Sequence, residues 1–161
     1  MIIEHPNRDK ASSKVTRAIV VVLLLVSAGL VTLISVGGWS ALEGAKALQL
    51  AYIVLYLVIA FFVLRWSRGV LPVIAALAIV LMIFAAVSAP AWFDRDKTGF
   101  TDPALPADVL GLLSALLVPV QLLLIAFAMS AFRQKWNVEV ERHDEPPPER
   151  AEERGPAPAA A

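Results

Sequence analysis

Val70-Leu-Pro-Val-Ile-Ala-Ala-Leu-Ala-Ile-Val-Leu-Met-Ile-Phe-Ala-Ala-Val-Ser-Ala89 contains no charged residue, no amide and a single hydroxyl. An uncharged apolar stretch of about 18 residues or more reads as a helix crossing a bilayer. Lipid offers no partner for free backbone N–H and C=O groups, so the chain there has to close its hydrogen bonds internally. Three further stretches have the same character. They cover 15–36, 45–64 with Lys46 at its edge, and 106–131. At a rise of about 1.5 Å per residue, each is long enough for a hydrocarbon core about 30 Å thick. None shows the period-two alternation of a barrel strand. The expected fold is an all-α, antiparallel four-helix transmembrane bundle. It has outer loops at 37–44 and 90–105, a tail at 1–14 and a second tail at 133–161.

Composition agrees with that frame. Of 161 residues, 58% are hydrophobic, more than a soluble domain usually carries, and they are gathered into runs. Formal net charge is zero, which leaves no basic footprint for a nucleic acid. There is no cysteine, hence no disulfide framework, thiolate nucleophile or thiolate metal site. His5 and His143 lie in the polar tails and read as ordinary solvated side chains.

Orientation follows from Lys and Arg near the ends of the spans. Arg8, Lys10, Lys14 and Arg17 precede the first, Arg65 and Arg68 fill the middle turn, and Arg133 and Lys135 follow the last. The other two loops hold Lys46 in one and Arg95 with Lys97 in the other, where Asp94, Asp96, Asp102 and Asp108 outweigh them. Both termini are therefore expected in the cytoplasm of a multi-pass cell-membrane protein. Trp39, Trp66, Trp92 and Trp136 all fall at span ends, where indoles anchor at headgroup level. Val26-Ser27-Ala28 would pass as a signal-peptidase site, but apolar residues run on through Val36, so the first span reads as retained.

From about 141 the chain turns polar and proline-rich, with Pro146-Pro147-Pro148 near its start. Such a segment buries too little apolar surface to offset its ordering entropy and is expected to be disordered. Just before it, Val138 and Val140 alternate with Glu139 and Glu141. That is either a short extended docking segment or simply solvated tail. No internal repeat is visible.

Four features carry possible chemistry. Gln49, Tyr52 and Tyr56 fall on one face of the second span. With Thr32, Ser35, Ser88 and Ser114 in the same outer half, they suggest a polar intramembrane face: either a small outward-facing pocket or interhelical hydrogen bonding. The loop from Asp94 to Asp102 resembles the opening of an EF-hand calcium loop. Asp94, Asp96 and Thr98 occupy alternate ligand positions, Gly99 the turn position and Asp102 the ninth, while the position of the bidentate Glu is Leu105 and Pro103 intervenes. The resemblance implies a weak calcium site; the alternative is a solvated turn. Pro119 inside the fourth span frees the Ala115 carbonyl, and Gln121 could rebond nearby groups, giving a hinge or a static kink. Gly111 with Ala115, and Ala85 with Ala89, are small pairs at i, i+4 that permit close helix approach.

No Asp, Glu, Lys, Arg or His lies deep in a span, where proton-coupled transporters need one. Nor is there a nucleophile–base constellation near the membrane, so an enzyme is not expected. The Ala/Val/Leu/Arg-heavy style resembles the small, uncharacterised four-span integral membrane proteins of high-GC bacteria. That resemblance is stylistic, covers the four spans and implies no activity. The leading expectation is a non-catalytic accessory, scaffold or partner-binding protein. Its surroundings would be the lipid bilayer, with a membrane-protein partner or a second copy of itself. The alternatives are a small outward-facing solute binder or conduit, and a calcium-responsive outer loop.

Overall fold

The computed structural model describes residues 2–95 and 102–142. In chain order the elements are β1 (Ile2–Glu4), α1 (Pro6–Asp9), α2 (Ala11–Gly37), α3 (Lys46–Leu64), α4 (Leu71–Phe93), α5 (Ala107–Arg133) and β2 (Val140–Arg142). Short 3-10 turns at Trp39–Ala41 and Arg68–Val70 lead towards α3 and into α4. Four helices are long and apolar enough to cross a membrane. Three of them outrun their apolar stretches: α2 starts at Ala11, α4 runs to Phe93 and α5 to Arg133. The 27 residues of α2 span about 40 Å, which covers headgroups as well as hydrocarbon, and polar residues are soluble in that outer zone.

Local chemistry explains where the helices stop and start. Trp66 is left-handed (φ 62) just after the C-cap of α3. Its N–H reaches the Val63 carbonyl at 3.0 Å, and Ser67 N–H reaches Phe62 at 3.1 Å. That is a Schellman closure made without glycine. Pro72 opens α4, where its missing N–H costs no hydrogen bond. Asp108 in the first turn of α5 and Arg133 in its last complement the helix dipole.

All four long helices bury rows spaced three and four residues apart. On α5 the row runs Leu110, Ser114, Leu117, Gln121, Leu124, Ala128, Ala131; on α4 it runs Leu71, Ile74, Ala78, Leu81, Ala85, Ala89, Trp92. A spacing near 3.5 keeps a seam facing its neighbour over the whole length. The closest pair is α4 with α5; the buried row of α4 is rich in alanine, and that of α5 holds glycine, serine and alanine. Small residues let backbones approach. Next come α2 with α3 and α2 with α5, whereas α3 and α4 scarcely meet backbone to backbone. The opposite faces are apolar and exposed, including Val36, Val54, Ile83, Val87 and Leu112. Continuous apolar exposure of this kind suits lipid as the solvent.

The two segments that read as tails are paired. Ile2, Ile3 and Glu4 oppose Arg142, Glu141 and Val140 in an antiparallel ladder. Glu141 and Arg142 thus belong to a strand where composition predicts disorder; residues 143–161 lie outside the described part. Further bonds tie the ends together. Arg8 Nε donates to the Trp136 carbonyl (2.9 Å) and Asn7 Nδ2 to that of Lys135 (3.1 Å). Arg17 donates to the Leu64 carbonyl (3.0 Å), Arg68 Nε to Phe132 (3.0 Å) and Gln134 Nε2 to Thr16 Oγ1 (2.9 Å).

The tryptophans divide into two kinds. Trp39 is exposed and Trp66 half-buried, as headgroup anchors would be. Trp92 and Trp136 lie at helix ends as the sequence suggests, yet both are buried. Trp136 is held edge-on to Trp66 and donates to Gln134 Oε1 at 3.0 Å. The apolar area of these two indoles is spent on the protein interior.

Candidate functional site

Serine and threonine within a helix can satisfy themselves locally, and α2 shows how. Thr32 and Ser35 donate to the carbonyls four residues back, Ala28 and Val31, each at 2.7 Å. Thr32 is exposed and faces away from the other polar residues. The remaining members of the expected polar face are drawn into two groups, one central and one nearer the Leu42 end.

The central group is a directed chain. Tyr56 OH donates to Gln121 Oε1 (2.8 Å), Gln121 Nε2 donates to Ser27 Oγ (2.9 Å), and Ser27 donates to the Leu23 carbonyl (2.7 Å). All three side chains are fully buried. The chain joins α3, α5 and α2 in the middle of the molecule. Gln121 does not rebond the carbonyl freed by Pro119; it points across the bundle instead. Ser27 is absent from the sequence-derived face. The available signal is a hydroxyl in the middle of the valine- and leucine-rich first span, opposite which something polar has to sit.

The second group borders a cavity of about 150 Å³. Val31 and Ile34 of α2 and Leu117 of α5 form its back, and Tyr52 of α3 its floor. Leu42, Ala45 and Trp92 roof it. Leu42 and Trp92 pack there with Leu110 as a small separate core. Leu48 of α3 and Phe84 of α4 line the remaining side and are exposed. The mouth therefore lies in the seam between α3 and α4, whose backbones scarcely meet. Tyr52 bridges that seam, its hydroxyl donating to the Leu77 carbonyl at 3.2 Å and its ring edge-on to Tyr56 at 5.7 Å.

The polar atoms at the cavity are few. Ser88 donates to the Ala85 carbonyl at 3.2 Å. Gln49 also lines the cavity, and its Oε1 accepts from Ser35 Oγ, whose one proton is shared with the Val31 carbonyl. Ser114 Oγ is buried, 1% exposed, and has no hydrogen-bond partner among the described residues. A buried hydroxyl left unpaired costs about 1–3 kcal/mol, and one lining a cavity is placed to bond whatever enters. Among the described residues no charged side chain lines the cavity.

The acidic loop is described only at its ends. Asp94 caps α4 and is exposed, and the Asp102 carbonyl accepts from Ser40 Oγ at 3.3 Å. Asp96 and Thr98 lie outside the described residues. Comparison with protein families, curated proteins and solved structures finds no match for this chain.

Proposed function

We propose that this is a non-catalytic, multi-pass protein of the cell membrane that binds a small, neutral, lipid-soluble molecule between its helices. In this reading the four long helices cross as an antiparallel bundle with both termini in the cytoplasm. The cavity then lies in the outer half. The carrying observation is the 150 Å³ space bounded by all four helices, with the unpartnered Ser114 hydroxyl on its wall. Among the described residues Ser114 Oγ has no hydrogen-bond partner, which supports reading it as a binding group. The orientation is supported by Arg8, Arg17, Arg65 and Arg68 at the end where the termini meet. Fluorobenzene added to the protein in lipid nanodiscs should show saturable binding by fluorine NMR. Ala85→Phe, which fills the cavity, should abolish it. Saturable binding that survives in the folded variant would refute the reading. Reporters fused at either terminus should both be cytoplasmic.

A second reading, a partner-binding accessory protein, draws on one specific observation. Val138 and Val140 are exposed beside the open edge of the β1–β2 ladder, in the zone that this orientation places in water. Open strand edges and exposed apolar side chains are what an added strand recognises. Co-purification of a stable partner in mild detergent, lost on Val140→Lys, is the expected result. A protein that purifies alone from its native membrane counts against it.

A further inference from the structure

Volume, lining and an unsatisfied buried hydroxyl narrow the chemistry of the occupant. A dry cavity of about 150 Å³ accepts one benzene-sized ring. This cavity has that volume, and aromatic or branched side chains (Trp92, Phe84, Leu81, Leu117) make most of its wall. No ionised group lines it, so a charged ligand would be desolvated without compensation. Among the buried groups of the lining one is unpaired, Ser114 Oγ, and a hydroxyl both donates and accepts. The mouth between Leu48 and Phe84 opens sideways between α3 and α4, so entry is from the lipid phase, where such molecules concentrate. A water molecule is the obvious competitor. It needs two to four polar partners, and here the Ser88 and Tyr52 hydroxyls, which donate to backbone carbonyls, offer it only lone pairs.

We infer that the occupant is a neutral molecule presenting one six-membered ring with a hydroxyl or carbonyl substituent, anchored by a hydrogen bond to Ser114 Oγ. This rests on the cavity reading above and adds the ring-sized ligand class and the anchor. The test compares 4-fluorophenol with fluorobenzene by fluorine NMR on the full chain in nanodiscs, each affinity corrected for partition into protein-free nanodiscs. One neutral hydrogen bond predicts about five-fold tighter binding of the phenol. Ser114→Ala should erase that ratio while leaving fluorobenzene binding within about two-fold, because only the polar contact is lost. Ser88→Phe, placed at the cavity rim, should weaken both probes and serves beside Ala85→Phe should that variant not fold. A ratio near one in the wild type, or a ratio unchanged in Ser114→Ala, overturns the anchor and leaves the cavity reading standing. Absence of binding by both probes overturns both, and marks a cavity that holds water alone.

Discussion

Ser114 and Gln121 sit one heptad apart on the buried row of α5 and have opposite circumstances. Gln121 is paired on both sides, accepting from Tyr56 and donating to Ser27; Ser114 is paired with nothing described. The difference predicts different mutational costs. Gln121→Leu strands the Tyr56 hydroxyl in an apolar interior and should lower stability by about 1–3 kcal/mol. Tyr56→Phe should cost much less in that background than in the wild type, because the two residues share one chain. Additive effects in a double-mutant cycle, measured by denaturant titration in mixed micelles, would show the chain to be energetically idle. Ser114→Ala should be neutral to slightly stabilising in the absence of ligand, since it removes an unpaired group. A second residue-scale prediction concerns Lys135, left-handed at φ 50 just past the C-cap of α5 and exposed. A non-glycine residue there costs about 1–2 kcal/mol, so Lys135→Gly should raise the melting midpoint.

At the scale of elements, helix spacing is set by what stands between backbones. The end of α2 touches the end of α4 through Gly38, where an added Cβ would lie 2.8 Å from the Trp92 ring and 3.0 Å from the Ile34 carbonyl oxygen. Trp92 is buried and the carbonyl belongs to the helix, so neither yields. Gly38→Ala should destabilise by about 1–3 kcal/mol. At Gly111 an added Cβ would meet the Phe93 ring at 2.8 Å, but Phe93 is half exposed and free to swing, so Gly111→Ala should be close to neutral. Equal losses in the two variants would refute this account of the packing. The existence of these helices was legible from hydropathy because crossing lipid is a local requirement, met residue by residue. Their facing was not. Helix α4 is apolar all round, so no pattern marks the side that meets α5, and alanine is as acceptable to lipid as to a neighbouring helix. Gln49, Tyr52 and Tyr56 could be assigned to one face by spacing, and the structure brings Tyr52 and Tyr56 into edge contact there. Their partners Leu77 and Gln121 lie 25 and 65 residues away, beyond any helical period.

For the whole molecule, the most distant contacts in the chain form a clasp. β1 pairs with β2, His5 Nε2 lies 3.4 Å from Glu139, and Arg8 and Asn7 bind carbonyls 128 residues away. Removing residues 1–5 should expose the amides of Val140–Arg142 to hydrogen exchange while leaving the long helices protected. Unchanged protection in that truncation would mean that the pairing contributes nothing to order at this end. The sequence alone determined that the chain carries four stretches long and apolar enough to cross a bilayer and which residue types are missing from them, because solvation by lipid acts on each segment independently. Tertiary structure alone decided the rest. The pairing of Ser27 with Gln121, the unpaired hydroxyl of Ser114 at the edge of a cavity, the burial of Trp92 and Trp136 and the strand made from two polar tails all depend on distances between segments far apart in sequence. Local hydropathy cannot encode those distances, because every face of these helices is soluble in lipid and only packing chooses among them.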